Sequence, residues 1–195
     1  MCRLGPLTRT LSLDDATYSA LLDYLRSEHS PIQTATEIVS DLTVAPTLDQ
    51  TPLPHYLSAA ATASIRGYTV ESTPTDIRRR DSSIVQARTD DGRSRICRIA
   101  SLIKVELDVM SAYTASCELA IVEWAIPAAL EGPGTEKAVE LERDPLLGIN
   151  LLEPDAYEPV SRSSFIPLNR IQARCVYAPG RVAGRPVTWA ITMER

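Results

Sequence analysis

Residues 117–125 read Cys-Glu-Leu-Ala-Ile-Val-Glu-Trp-Ala, the most apolar run in the chain, and Pro127 closes it. A short apolar run with β-branched and aromatic side chains, no glycine and a proline stop reads as a central strand. Upstream, Val105, Leu107 and Val109 alternate with Lys104, Glu106 and Asp108, the period of a half-buried strand. Asp90-Asp91-Gly92 is a hairpin signal, because Asp-Gly supplies the positive φ of a type I′ turn. It predicts that about Ser83–Thr89 pairs with Arg95–Leu107. Downstream, Gly132-Pro133-Gly134 marks a loop insertion with one helical turn near Glu136–Leu141, and Asp144-Pro145-Leu146-Leu147-Gly148 opens another turn. Phe165-Ile166-Pro167-Leu168 leads into a strand over Ile171–Tyr177, and Val187–Met193 alternates as the last strand. Five to seven short strands with no βαβ period predict a mainly β fold, a small barrel or strongly bent sheet. The expected core is Ile99, Leu119, Ile121, Val122, Trp124, Ile166, Ile171, Val176 and Trp189.

The period of two starts at Ile65 and reads onward through Tyr68 and Val70. Before it the pattern differs. Tyr18, Leu21, Leu22 and Leu25 fall at i, i+3, i+4, i+7, one apolar stripe of a helix, with Ser12 as the expected N-cap and Asp14 and Asp15 in the first turn. The stripe is expected to dock on the main domain. Residues 31–64 are rich in Thr, Ser and Pro, with Pro46, Pro52 and Pro54, and read as an extended connector with a short helix over Thr34–Leu42. The predicted organisation is a helical arm over 1–30, a connector over 31–64 and a β-barrel-like domain over 65–195.

With 195 residues, 44% of them hydrophobic, the chain can bury a core without a metal or disulfide staple. No stretch of 18 apolar residues is present and the N-terminus does not read as a signal peptide, so no membrane partner is expected. Cys2, Cys97, Cys117 and Cys175 form no close pair, and His29 and His55 lie in no ligand-spaced frame; no metal and no cofactor is expected. Cys97 and Cys117 read as small buried hydrophobes, all four thiols as reduced and the compartment as intracellular. The nucleophile-elbow, dinucleotide and phosphate-loop motifs are absent, and neither histidine falls in the predicted β domain, so no catalytic residue is assigned.

Charge is uneven. Residues 66–98 carry eight Arg against five acids, and residues 99–160 carry three basic residues against twelve acids. Arg78, Arg79 and Arg80, with Arg93 and Arg95 of the hairpin, are the candidate nucleic-acid-binding residues; Arg88 and Arg98 lie on the same stretch. Such a face would bind phosphates with an affinity that falls steeply as salt rises. Against it, the net charge is −5 and no aromatic residue lies between Arg78 and Arg98 to stack on bases. The alternative is a solvated loop whose arginines pair with the acidic segment 131–144. Arg95 and Arg98 point to opposite faces of a regular strand, so they cannot act together.

The order of these features resembles the C-terminal β-rich region of fungal, chiefly basidiomycete, CACTA-type transposase-like proteins. The resemblance runs from Thr8–Leu13 through Arg98–Ile103, Ile121–Trp124, Asp144-Pro145-Leu146 and Phe165–Ile171 to Trp189-Ala190. It implies a barrel like the SH3 or chromatin bromo-adjacent-homology (BAH) type and a nuclear rather than cytoplasmic place. It transfers no site residue, since Cys175 stands where that family carries a histidine. The expected function is a non-catalytic protein-interaction module, with chromatin as the implied partner and a mobile element as its origin. The alternatives are a nucleic-acid-binding accessory module using the Arg hairpin and a small enzyme of unknown class.

Overall fold

The computed structural model describes residues 2–28, 32–33, 51–72, 83–108, 114–143 and 147–193. Arg78, Arg79 and Arg80, the expected helix at Thr34–Leu42 and the Asp144-Pro145-Leu146 turn lie outside the described residues. The fold is mainly β. In chain order the strands are β1 (Cys2–Leu4), β2 (Leu7–Ser12), β3 (Ile32–Gln33), β4 (Thr51–Pro52), β5 (Tyr56–Ala60), β6 (Thr62–Ile65) and β7 (Tyr68–Glu71). They continue with β8 (Ile84–Arg88), β9 (Ser94–Asp108), β10 (Thr114–Pro127), β11 (Ile149–Tyr157), β12 (Phe165–Pro167), β13 (Ile171–Val182) and β14 (Arg185–Met193). Among the described residues there are two α-helices, α1 (Asp15–Glu28) and α2 (Glu136–Arg143).

The apolar run 117–125 is the middle of β10 and, as its composition demands, has strands on both sides: β9 along its length, and β12 and β11 on the other edge. The pairings β9–β10, β10–β11, β11–β14, β14–β13, β13–β8 and β8–β9 close a circuit of six antiparallel strands. Ile84, Ile96, Ala125, Leu152, Cys175 and Ala190, one from each strand, pack together with Tyr157 and Tyr177 and so face the inside of that circuit. The outer wall carries a second core. Val85, Ala87, Cys97, Ile99, Val122, Trp124 and Ile171 pack there against Leu4, Ala63, Ile65 and Val70 of a small three-stranded sheet, β1–β6–β7.

β9 and β10 run past the circuit. Their outer halves, with β5, β2 and β12, make a platform on which α1 lies. Tyr18, Leu21, Leu22 and Leu25 meet Ile103, Val105, Leu119, Ile121 and Phe165 there, so the helical stripe docks on the main body as expected. The cap differs from expectation. Ser12 ends β2 opposite Tyr56, and the Asp14 carboxylate accepts the Thr17 N–H at 2.8 Å. That bond is an N-cap bond to the N3 position, and it holds the Asp14 carboxyl below the ordinary carboxylate range. Asp14→Ala lowers the thermal midpoint and Asp14→Ser keeps most of it; an unchanged midpoint in Asp14→Ala would remove the cap.

Other expectations shift in detail. The strands outnumber the five to seven expected, and strand pairing begins at Cys2 rather than Ile65. Residues expected as arm and connector supply β1, β2, β5 and β6. The 90–92 turn does join Ile84–Arg88 to Ser94–Asp108, but positive φ occurs only at Gly92, and Thr89 N–H donates to Arg93 O at 2.8 Å. That is a three-residue loop with one left-handed residue, not a two-residue type I′ turn. Of the expected core, Val176 is 47% exposed and Trp189 only half-buried; the other seven are buried. Cys117 is half-buried rather than enclosed.

Candidate functional site

The β8–β9 hairpin spends two of its four described arginines internally. Arg95 reaches Glu158 at 2.5 Å and lies over the Trp124 ring at 5.2 Å. Arg98, on the opposite face, reaches Glu123 at 2.5 Å and lies over Tyr157 at 4.2 Å. Their partners are Glu158 and Glu123, not the acidic segment 131–144. Within that segment Glu142 accepts the Leu151 N–H at 3.0 Å and Glu136 the Gly134 N–H at 2.9 Å. Arg93 projects into solvent, with Nε 3.3 Å from Asp91 of its own turn. Asp90 of the same turn holds Arg170. Each carboxylate offsets the positive potential that a phosphate would need, so the described part of the hairpin presents two outward cations, Arg93 beside an acid and Arg88 at the end of β8.

A different surface carries apolar side chains. Strand alternation gives β14 two faces: Thr188 and Ala190 face the inside of the circuit, and Val187, Trp189, Ile191 and Met193 face out. Helix α2 covers one half of that outer face, packing Ala138 with Leu151, Val182 and Val187 and half-covering Trp189. Among the described residues none covers the other half. Ile149, Ile191 and Val176 stand side by side across β11, β14 and β13, and Ile191 and Val176 are 41% and 47% exposed. Met193 and Leu147 extend the patch. The apolar character was visible in the sequence; its outward parity was not.

A pocket of about 710 Å³ lies where β13 begins. Arg66, Tyr68, Gln86, Gln172 and Arg174 line it, with Met193 at the edge it shares with the apolar patch. None of these polar residues stood out in the sequence as a site, because they come from three separate segments with no fixed spacing.

The chemistry of nucleophiles is muted. Burial raises the Cys97 thiol and pushes Cys175 up to about 12. His55 stacks flat on Tyr18 with ring centroids 4.0 Å apart. Among the described residues no group of three His, Cys, Asp or Glu could hold a metal ion, and no helix is long and apolar enough to cross a membrane. No protein-family model matches the chain, and no curated protein or solved structure is similar to it.

Proposed function

We propose that the chain is a non-catalytic protein-interaction module that docks a partner protein on the bare half of the β11–β14–β13 face. The observation that carries this is the contrast along one sheet. The same three strands bury their outward side chains under α2 at one end and expose Ile191, Val176 and Met193 at the other. Contiguous exposed apolar surface of this kind marks an interaction site. A partner presenting an amphipathic helix fits it, because α2 already shows that a helix packs on this face. The six-strand circuit supports a small barrel of the SH3 or BAH-like kind as the scaffold. The resemblance to fungal transposase-like proteins supports a nuclear, chromatin-associated partner and descent from a mobile element.

The Arg-hairpin alternative is weaker, since Arg95 and Arg98 are already paired with acids. The test places a photo-crosslinking residue at Ile191 of the full chain in living cells, with Arg93 as the control position. The expected result is a discrete adduct with one other protein from position 191, none from position 93, and its loss in Val176→Asp. No adduct, an adduct only with a second copy of this chain, or equal capture from position 93 would overturn the reading.

A further inference from the structure

We infer that the pocket at the start of β13 is a binding site for a dianionic oxyanion, and that its ligand is a phosphate monoester. The backbone builds the cleft. β13 pairs with β8 from Ile171, but its pairing with β14 starts only at Arg174, opposite Met193. A register shift between Ile171 and Ala173 leaves Gln172 without a partner in β8. Side chains from β13 therefore reach the pocket beside an incomplete ladder. Facing them is the β6–β7 hairpin, whose two-residue turn, Arg66-Gly67, has positive φ at both positions, 49° and 89°. Such a turn is stiff and fixes where the Arg66 side chain starts.

Three groups point to an anion. Arg66 and Arg174 line the pocket and form no ion pair among the described residues, unlike Arg95, Arg98, Arg170 and Arg185. Between them in charge terms is Tyr68, whose ring packs on the core while its hydroxyl is buried without a hydrogen-bond partner among the described residues. Burial raises the Tyr68 phenol, so it stays a proton donor at neutral pH, and the two guanidiniums act on it in the opposite sense. A buried donor left unsatisfied is costly, and a bound acceptor offsets that cost.

Two guanidiniums and a phenol O–H match the charge and acceptor count of a phosphate monoester dianion. In the remaining wall the Ser94 hydroxyl donates to Gln172 Oε1 at 2.7 Å, which leaves the Gln86 amide and the Gln172 amide N–H for the polar body that carries the phosphate. The inference stands apart from the docking surface; the two share only Met193.

The test is calorimetric titration of the full chain with inorganic phosphate and with O-phosphoserine at about 0.15 M salt, against sodium chloride and malonate of matched ionic strength. Saturable binding of both phosphates, weakened about tenfold in Arg174→Gln and in Arg66→Gln, is expected. Tyr68→Phe should weaken binding severalfold while leaving ligand-free stability unchanged or raised, because it removes an unsatisfied hydroxyl. Binding of phosphoserine but not of phosphate would place part of the affinity on the glutamines and still support the site. No binding beyond the chloride control would overturn the inference. So would malonate binding as tightly as phosphate, Arg variants binding like the parent, or a Tyr68→Phe chain that loses ligand-free stability.

Discussion

Trp124→Ala should cost about 3–5 kcal/mol of stability. The side chain is 1% exposed on the wall shared by the circuit and the small sheet, packed with Ile166, Leu168 and Ile171. Its indole Nε1–H donates to Ser163 O at 2.8 Å, and the Trp124 carbonyl accepts the Glu158 N–H at 2.9 Å. Glu158 in turn holds Arg95 against the indole ring. Truncation removes the transfer energy of the ring, leaves a cavity and frees Arg95 from the face it covers. Against a typical stability of about 5–15 kcal/mol, that is a large fraction of the total. Trp124→Phe separates the terms: it keeps most of the volume and loses the hydrogen bond, at about 1 kcal/mol. Ile121→Ala, on the opposite face of β10 against α1, should cost about 2–5 kcal/mol. Urea unfolding reads all three, as a falling midpoint at constant m. A Trp124→Ala midpoint equal to the parent would mean that the wall is not a packed core.

The strands that were legible are those whose side chains pay out the pattern in large residues. Cys117–Ala125 read as a central strand because Leu119, Ile121, Val122 and Trp124 are all large and all buried, on two faces. The N-terminal strands gave no such signal. Five of the six residues of Leu7–Ser12 are exposed and the sixth, Leu11, is half-buried, so nothing in its composition alternates. Residues 57–65 do alternate in burial, but the buried side chains at 59, 60 and 63 are alanines, too small to stand out from their neighbours. The helix cap slipped by two residues for a related reason. Ser12 and Asp14 are both good caps by type, and the β2–β5 pairing, a tertiary contact, decides between them.

The last strands show a subtler failure, one of parity. In Val187–Met193 the large residues are Val187, Trp189, Ile191 and Met193, and Trp189 is the one of them in the expected core. The interior of a six-strand circuit is narrow. Ile84, Ile96 and Leu152 with Tyr157 and Tyr177 already fill much of it, so β13 and β14 contribute Cys175, Thr188 and Ala190 there, and the large side chains of β14 turn outward to α2 or to solvent. Size therefore predicts the wrong face when the enclosed space is small. The same parity exposes Val176 and makes the apolar patch, so Val176, expected in the core, belongs instead to the proposed docking surface. The pocket was invisible for a different reason: Arg66, Gln86 and Arg174 are brought together only by the pairing of β8 with β13 and the packing of the small sheet on the circuit.

Stability should fall steeply above about pH 8.5, and the two most deeply buried thiols, Cys97 and Cys175, set most of the slope. Cys97 is fully enclosed in the wall and Cys175 nearly so inside the circuit. Burial disfavours both thiolates, and Cys175 is pushed up to about 12. Below the unfolded thiol pKa both chains carry these protons, and the folded state is unaffected. Above it the unfolded chain releases protons that the folded chain keeps, so unfolding gains about 1.4 kcal/mol per pH unit for each thiol. Two thiols together give about 2.7 kcal/mol per unit, enough to unfold an ordinary domain within a few units. Tyrosines add to this only above about pH 10, where an unfolded phenol ionises. Tyr24 of α1, raised to about 12 by burial, belongs to that later window. The interval from about pH 8.5 to 10 therefore isolates the cysteines. In Cys97→Ala with Cys175→Ala the stability at pH 7 should drop modestly, and the slope over that interval should fall to the smaller share of Cys117, whose half-buried thiol is also raised by burial. A double variant that keeps the parent's slope would show that these thiols are not protonated by burial, and would remove Cys97 from the packed wall.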